Sequence, residues 1–286
     1  MSEGIRVNDV FIDADLGVWH DIDGDGTIEQ VYASVFNLQL FKGGKLIWSK
    51  EIDARKEIRE LNKTEEVRFE TEIGNILTKV RIFDLNLDGR KEIIVGRADG
   101  LLAALDFKGN TIWSTDLVNY IVSFDIADIN GDNKPEIIVI TGSGTVVLLN
   151  HKGRKIWARN YPREYGPNDV KIYSDGDKYL IALGMKNGGL LILDKKGNEK
   201  KTFYPMHESI RVIKIGDLTG NGSSEFILGG DKGGVAILDN NGEIKSLQRF
   251  DSEIIQLSLY DLNNDGKREV IAGDWNGSIK IMNIEG

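Results

Sequence analysis

Acidic and amide side chains recur in this chain at a spacing that suits the binding of a hard cation. The clearest copy is Asp261–Glu269, in which oxygen-bearing side chains stand at positions 1, 3, 5 and 9 and Gly266 stands at position 6. A Ca²⁺ ion takes about six to eight oxygen ligands, which a tight loop with alternating acidic residues can supply. Glycine at position 6 permits the left-handed backbone that wraps such a loop around an ion. The pattern therefore predicts a calcium-binding loop.

The same pattern occurs at four other places in the chain. These loops are Asp21–Glu29, Asp84–Glu92, Asp128–Glu136 and Asp217–Glu225. In the third of them Asn133 stands at position 6, and asparagine also tolerates a left-handed backbone. The predicted side-chain ligands of the five loops are Asp21, Asp23, Asp25, Glu29, Asp84, Asn86, Asp88, Glu92, Asp128, Asn130, Asp132, Glu136, Asp217, Thr219, Asn221, Glu225, Asp261, Asn263, Asp265 and Glu269. Because charge tunes affinity, we expect loop 21–29 to bind most tightly and loop 217–225 least tightly.

An EF-hand is the obvious alternative, since its loop is similar up to position 6. That loop places a bidentate glutamate at position 12 and lies between two helices. Position 12 of the five copies is occupied here by Tyr32, Val95, Val139, Leu228 and Ala272. The short β-branched segments that follow the loops are typical of strands bounded by glycine. These differences exclude an EF-hand.

Composition narrows the class of protein. The 286 residues are 41% hydrophobic, with 33 glycines and 4 prolines, which indicates a turn-rich globular chain of one large domain or two small ones. No apolar run approaches the length of a membrane span. The absence of cysteine excludes disulfides and thiolate sites, and the net charge of −9 argues against a nucleic-acid partner. Because no leader is visible, we expect a cytoplasmic protein, or an extracellular one after removal of a signal peptide.

The loops mark a repeat. They begin at 84 and 128, and again at 217 and 261, so the period is near 44 residues. Each repeat carries four strand-like segments, a content and period typical of a β-propeller blade. We therefore predict an all-β single domain over 1–286, a six-bladed β-propeller of four-stranded antiparallel blades. Seven blades and an open solenoid are the alternatives.

Three irregularities qualify this repeat. The last repeat lacks a fourth strand, and we expect Ile5–Val10 to supply it and so close the ring. A charged insertion at about 50–72 is interpreted as a solvated excursion, a rim hairpin or short helix, or part of a seventh blade. An eroded loop at 174–177 is too short to bind a metal.

Two family resemblances follow from these motifs. The Asp-x-Asn-x-Asp-Gly-x-x-Glu loop between two strands resembles the FG-GAP repeat of integrin α-subunit propellers, although the Phe-Gly and Gly-Ala-Pro words are absent. The resemblance implies bound Ca²⁺ with a further ligand from the backbone carbonyl at position 7. Those carbonyls belong to Thr27, Arg90, Lys134, Ser223 and Lys267.

The second resemblance concerns the outer strands. Gly44–Trp48, Gly109–Trp113 and Gly153–Trp157 share a Gly-x-x-x-Trp pattern that is similar to the tryptophan-docking strands of quinoprotein dehydrogenase propellers. In that family the tryptophans are mainly packing residues. We therefore expect each of these rings to join adjacent blades rather than to hold a cofactor.

Binding rather than catalysis is the function that this pattern favours. The loop oxygens nearly saturate a Ca²⁺ ion, and the three histidines show no spacing suited to acid–base chemistry. We expect a non-catalytic scaffold that binds a protein or peptide; a polysaccharide lyase or carbohydrate-binding propeller is the alternative. The partner surface is expected at the blade ends opposite the metal loops, where aromatic residues collect. They are Tyr120, Tyr161, Tyr165, Phe203, Tyr204, Phe250 and Trp275.

Overall fold

Antiparallel strands make up the regular structure of the chain. The computed structural model describes residues 5–7, 10–12, 18–33, 37–51, 77–176 and 178–284. The predicted insertion at about 50–72 lies almost wholly outside these residues. In the described part of the chain, no helix has the length and apolar character that a membrane crossing requires. The contacts divide the chain into two compact units, one of residues 1–128, 132–143 and 148–156, and one of residues 129–131, 144–147 and 157–286.

The first unit begins with a short hairpin of β1 (Ile5–Val7) and β2 (Val10–Ile12). Two four-stranded sheets follow, and in each of them sequential strands are neighbours. The first contains β3 (Val18–His20), β4 (Glu29–Ala33), β5 (Asn37–Lys42) and β6 (Lys45–Glu51). The second contains β7 (Leu77–Phe83), β8 (Glu92–Arg97), β9 (Leu101–Leu105) and β10 (Thr111–Asp116).

The remaining repeats form sheets with the same strand order. The third sheet contains β11 (Ile121–Ala127), β12 (Glu136–Thr141), β13 (Thr145–Leu149) and β14 (Lys155–Asn160). The second unit then has β15 (Pro167–Asp175), β16 (Lys178–Met185), β17 (Leu190–Asp194) and β18 (Glu199–Phe203). It continues with β19 (Ile210–Gly216), β20 (Glu225–Gly230), β21 (Gly234–Leu238) and β22 (Ile244–Arg249), and ends with β23 (Ile254–Tyr260), β24 (Glu269–Asp274) and β25 (Ile279–Met282).

The sequence led us to expect that the N-terminal segment completes the last sheet, and this expectation is wrong. Within the described residues, the sheet of β23, β24 and β25 has three strands, and β1 pairs with β2 instead, Ile5 opposite Ile12. Only two residues separate these strands, which is the length of a hairpin connection. Local pairing closes a much shorter loop than pairing across the whole chain, so its entropic cost is lower.

Apolar inner strands build the core of each unit. Every residue of β8 and β20 is buried, and apolar side chains at consecutive positions let both faces of these strands pack. In the second unit, one cluster centres on Phe226 and Leu228 and another on Ile254 and Leu257. The outer strands β10, β18 and β22 are mostly exposed and polar. This burial fixes the strand ends from which the acidic loops project.

Candidate functional site: the acidic loops and the connector surface

The aspartate at position 1 organises each acidic loop. In loop 21–29, Asp21 Oδ2 accepts a hydrogen bond from the backbone N–H of Gly26 at 2.9 Å. The same bond, from position 6 to position 1, recurs in all five loops. Its other copies are Gly89 to Asp84 (2.9 Å), Asn133 to Asp128 (2.7 Å), Gly222 to Asp217 (2.8 Å) and Gly266 to Asp261 (2.9 Å). The five sequence copies are therefore five copies of one loop structure.

Two positions of each loop have a left-handed backbone. Position 6 does so in every copy, and Asn133 with φ 61° confirms that asparagine replaces glycine there. Position 4 is also left-handed, which the sequence analysis missed. Its residues are Gly24, Leu87, Gly131, Gly220 and Asn264, with φ between 58° and 80°. The signal was present, since four of these five residues are glycine or asparagine.

The glutamate at position 9 ties each loop to its sheet. Glu92 is the first residue of β8, and its Oε2 accepts the backbone N–H of Leu85 at 2.7 Å. Glu225 and Glu269 make the same bond from position 9 to position 2, to Leu218 at 2.7 Å and to Leu262 at 2.8 Å. One oxygen of each of these glutamates thereby accepts a backbone N–H; in Glu92 and Glu269 the other accepts from the asparagine at position 3.

Loops 84–92 and 261–269 have the donor set of a divalent-cation site. In the first, Asp88 Oδ2 and Glu92 Oε1 both face Asn86 Nδ2, at 3.1 and 3.4 Å. In the second, the same two positions face Asn263 Nδ2, at 3.0 and 3.5 Å. In each loop the asparagine Nδ2 thus donates to two carboxylates, while its Oδ1 accepts the N–H of the residue at position 5. All three side chains carry oxygen, and no ion pair to either loop occurs among the described residues. Such a set fits Ca²⁺.

The electrostatics of two loops also favour a cation. Burial raises the pKa of Glu92, and the carboxylates of Asp84 and Asp88 raise it further. Burial likewise raises the pKa of Glu225, with contributions from Asp217 and Asp239. Burial and neighbouring carboxylates make the ionised forms of these glutamates less favourable. A bound divalent cation would offset this cost, because its positive charge stabilises the ionised carboxylates.

Loop 21–29 differs, because a lysine lies inside its acidic cluster. Asp21, Asp23 and Glu29 offer oxygens within 4.8 Å of one another. Lys42, the last residue of β5, places Nζ 2.7 Å from Asp23 Oδ2, 2.6 Å from Asp25 Oδ2 and 3.0 Å from Glu29 Oε1. The hydrogen bond from Lys42 lowers the pKa of Asp25 to about 2, and the hydrogen bonds to Asp23 and Asp25 raise the pKa of Lys42. The sequence analysis did not single out this lysine.

The residues on either side of position 177, in the eroded loop, are paired as strands. Ser174 pairs with Tyr179 and Asp175 pairs with Lys178, so β15 and β16 remain paired up to the turn. This pairing leaves no room for a nine-residue loop, as the sequence predicted.

The tryptophans of the outer strands join neighbouring sheets, as expected. Trp48 Nε1 donates to the carbonyl of Phe107 at 2.8 Å, and Trp113 Nε1 donates to that of His151 at 3.1 Å. Trp157 makes the same contact in the second unit, to Lys195 at 3.0 Å. Each acceptor lies two residues before a left-handed glycine against which the ring packs, namely Gly109, Gly153 and Gly197. These rings are packing residues.

The residues of the predicted partner surface differ in exposure. Tyr165, Tyr204 and Trp275 are 56, 68 and 44% exposed, and all three belong to the second unit. Tyr165 and Tyr204 lie on connectors between sheets, and Trp275 lies in the β24–β25 turn. These positions are at the sheet ends opposite the acidic loops. Tyr120 and Tyr161 are half-buried.

Two of the predicted aromatic residues pack against other parts of the second unit. Phe250 is only 4% exposed and belongs to the core cluster that contains Ile254. The half-buried Phe203 packs against Gly242 in the neighbouring sheet, since a Cβ added there would meet the ring at 2.1 Å. Both phenylalanines therefore fill space inside the second unit. We call the remaining exposed set, Tyr165, Tyr204 and Trp275, the connector surface.

Basic side chains lie beside Tyr165 in the second unit. Lys186 Nζ donates to the carbonyl of Arg163 at 2.9 Å. Burial lowers the pKa of Lys186, and the charges of Arg163 and Arg211 lower it further. Neither Arg163 nor Lys186 forms an ion pair with an acid in the described residues. This end of the second unit therefore combines exposed tyrosine with positive charge.

Comparison with known proteins identifies the architecture. Residues 99–212 match the family model of the lambda-carrageenase β-propeller domain. The chain is a β-propeller. Each of the six repeat sheets described above is thus one blade of this β-propeller, and each acidic loop connects the first and second strands of a blade. No curated protein sequence matches the propeller.

Solved structures resemble the propeller in fold. The crystal structure of BBS1N in complex with ARL6DN is 14% identical, covers 95% of this chain and 92% of its own, and has a TM-score of 0.61. Sqt1 of Saccharomyces cerevisiae is 12% identical, with coverage of 91 and 69% and a TM-score of 0.68. The computationally designed Ika8 protein is 13% identical, with coverage of 94 and 70% and a TM-score of 0.64. Identities this low indicate a shared fold alone.

Proposed function

We propose that this chain is a non-catalytic, calcium-stabilised β-propeller that binds a protein partner through the connector surface. The six repeat sheets among the described residues support six blades, and the recurring loop supports the resemblance to FG-GAP repeats. The observation that carries the binding role is the exposure of Tyr165, Tyr204 and Trp275 at the ends of the sheets opposite the acidic loops.

Calcium binding rests on the inward oxygens of the acidic loops. Asp88, Glu92, Asp265 and Glu269 would supply carboxylate ligands, together with the position-7 carbonyls that the resemblance implies. Calcium there would act as a structural ion, since it joins the first and second strands of a blade. We expect equilibrium dialysis to show one Ca²⁺ fewer for Asp265→Asn than for the unchanged protein. Asp175→Asn, in the short hairpin, is the matched control and should leave the number unchanged.

Stability provides a second measurement of the bound metal. A ligand that binds only the folded state stabilises it by about 2.7 kcal/mol when its concentration is a hundredfold above Kd. Chemical denaturation in Ca²⁺ and in EDTA should therefore differ by at least this amount for each site that fills. Equal denaturation midpoints in the two buffers would show that hydrogen bonds alone hold the loops.

Protein recognition rests on the chemistry of the connector surface. Tyrosine and tryptophan are enriched among the residues that dominate binding energy at protein interfaces. A partner captured from the source cell would be identified, purified and titrated against variants. Tyr165→Ser combined with Tyr204→Ser should weaken its binding at least tenfold, whereas Lys152→Ser, in an exposed turn at the acidic-loop end, should not. Weaker binding by the Lys152 variant alone would place the interface at the other end of the blades.

A carbohydrate ligand is the second candidate, and the family match favours it. The matched range contains Tyr165 together with Arg163 and Lys186, and the family description names a carrageenase. Exposed aromatic rings beside unpaired cations suit an anionic polysaccharide. Affinity electrophoresis in a gel that contains lambda-carrageenan tests this candidate. Retardation that is lost in Arg163→Gln would favour carbohydrate binding over protein binding.

A further inference from the structure

Lys42 places its ammonium group among the carboxylates of loop 21–29. Its ammonium group lies 2.6–3.0 Å from Asp23, Asp25 and Glu29. The ammonium group donates hydrogen bonds to Asp23 and Asp25 and forms an ion pair with the buried Glu29. In Asp23, Asp25 and Glu29, one carboxylate oxygen accepts a backbone N–H within the loop, and the other oxygen faces Lys42.

The register of the sheets explains why a lysine reaches this place. Lys42 stands opposite Glu29 at the end of the third strand of its blade. In the next blade Ile93 pairs with Leu105, so Asp106 follows at the equivalent position, and in the fifth blade Asp239 does so after Leu238. Those aspartates accept backbone N–H groups of their own turns, from Lys108 and Asn241. These two aspartates add negative charge near the acidic loops of their own blades, whereas Lys42 adds positive charge near loop 21–29.

The turn after Lys42 makes this exchange possible. Lys42 pairs directly with Lys45, which leaves Gly43 and Gly44 as a two-residue connection. Both glycines have positive φ, 55° and 74°, as the tight hairpin requires. This turn needs no aspartate to accept its backbone N–H groups, so a lysine can occupy position 42.

We infer that the ammonium group of Lys42 serves as the resident cation of loop 21–29, which therefore folds without a metal ion, whereas the other acidic loops take Ca²⁺. The inference revises our expectation that this loop, with its four acids, binds calcium most tightly. It goes beyond the proposed function, because it states which blade is independent of calcium. The blade between β3 and β6 would then remain ordered at calcium concentrations that empty the other loops.

Counting bound Ca²⁺ by equilibrium dialysis tests the inference. Lys42→Met removes the ammonium group and keeps the apolar stem, and it should bind one Ca²⁺ more than the unchanged protein. It should also denature earlier in EDTA, because three carboxylates lose their cation, and calcium should restore its midpoint. Lys45→Met, the exposed cross-strand neighbour, is the matched control and should change neither quantity.

A variant on the acidic side keeps the test decisive even if Lys42→Met fails to fold. Asp25→Asn in the otherwise unchanged chain should leave the number of bound Ca²⁺ ions as it is, since Lys42 already fills the loop. Loss of one ion in Asp25→Asn, or an unchanged count in folded Lys42→Met, overturns the inference. Calcium binding by the other loops is tested separately by Asp265→Asn. Lys42→Met should gain one Ca²⁺ ion whether or not those loops bind calcium.

Discussion

The contact between Trp113 and Gly153 allows one prediction to be worked out in magnitude. Gly153 has φ 72°, and a Cβ added to it would lie 2.6 Å from both Trp113 Cε3 and Thr115 Oγ1. A left-handed backbone costs a residue with a Cβ about 1–2 kcal/mol. Overpacking costs about 1–3 kcal/mol more, because the indole ring must move. Gly153→Ala should therefore lower the free energy of unfolding by roughly 2–5 kcal/mol.

A second glycine, Gly44, separates the backbone cost from the overpacking cost. Gly44 stands in the corresponding turn of the first repeat with φ 74°, and nothing lies within 4 Å of an added Cβ. Gly44→Ala should lose only the backbone term, about 1–2 kcal/mol. Urea denaturation of the three proteins in the same calcium buffer measures the difference. Equal losses in the two variants would refute the view that the ring packs on Gly153, because the crowding would then contribute nothing.

Three further predictions concern single side chains. Leu87 is 54% exposed with φ 58°, so Leu87→Gly should raise the thermal midpoint by relieving roughly 1 kcal/mol of backbone strain, and a lowered midpoint would contradict this. Burial raises the pKa of Glu225, so in EDTA the free energy of unfolding falls as the pH rises above 4.5, its ordinary value, and through the raised pKa. Glu225→Gln should lose less stability than the unchanged protein over the same rise in pH, as urea denaturation at each pH would show. Glu208 is buried and accepts backbone N–H groups of Lys232 and Gly234, so Glu208→Ala should lower the free energy of unfolding by about 2–4 kcal/mol in urea denaturation. Arg249→Met, at the exposed ion-pair partner of Glu208, should lower it by at most about 1 kcal/mol.

Much of this fold could be predicted because its information is local and repeated. A nine-residue loop that recurs beside short apolar strands fixes the strand order of each blade before any tertiary contact is known. The left-handed state of Asn133 followed from its alignment with four glycines. Pairing of the N-terminal segment could not be predicted in the same way, since a two-residue hairpin competes with a partner more than 250 residues away.

The content of the loops and the exposure of single rings depend on contacts between distant residues. Lys42 lies 17 residues from Asp25 in sequence, and its role follows only from the pairing of β4 with β5. Phe250 and Tyr204 both stand next to a strand end, and nothing in their neighbours tells which of them turns inward. Phe250 is buried in the apolar cluster that also contains Ile254 and Leu257, which the repeat pattern does not encode.

The tryptophan contacts have a consequence for how the chain acquires its structure during synthesis. Trp113 and Trp157 each reach an acceptor 38 residues further along, and Trp48 reaches one 59 residues further along. A blade can therefore lock onto the next as soon as one more turn has left the ribosome, without waiting for the C-terminus. The longer span at Trp48 adds only roughly 0.4 kcal/mol of loop-closure cost, because that cost grows with the logarithm of length. Assembly of such a chain is expected to run from its N-terminal end, one blade at a time.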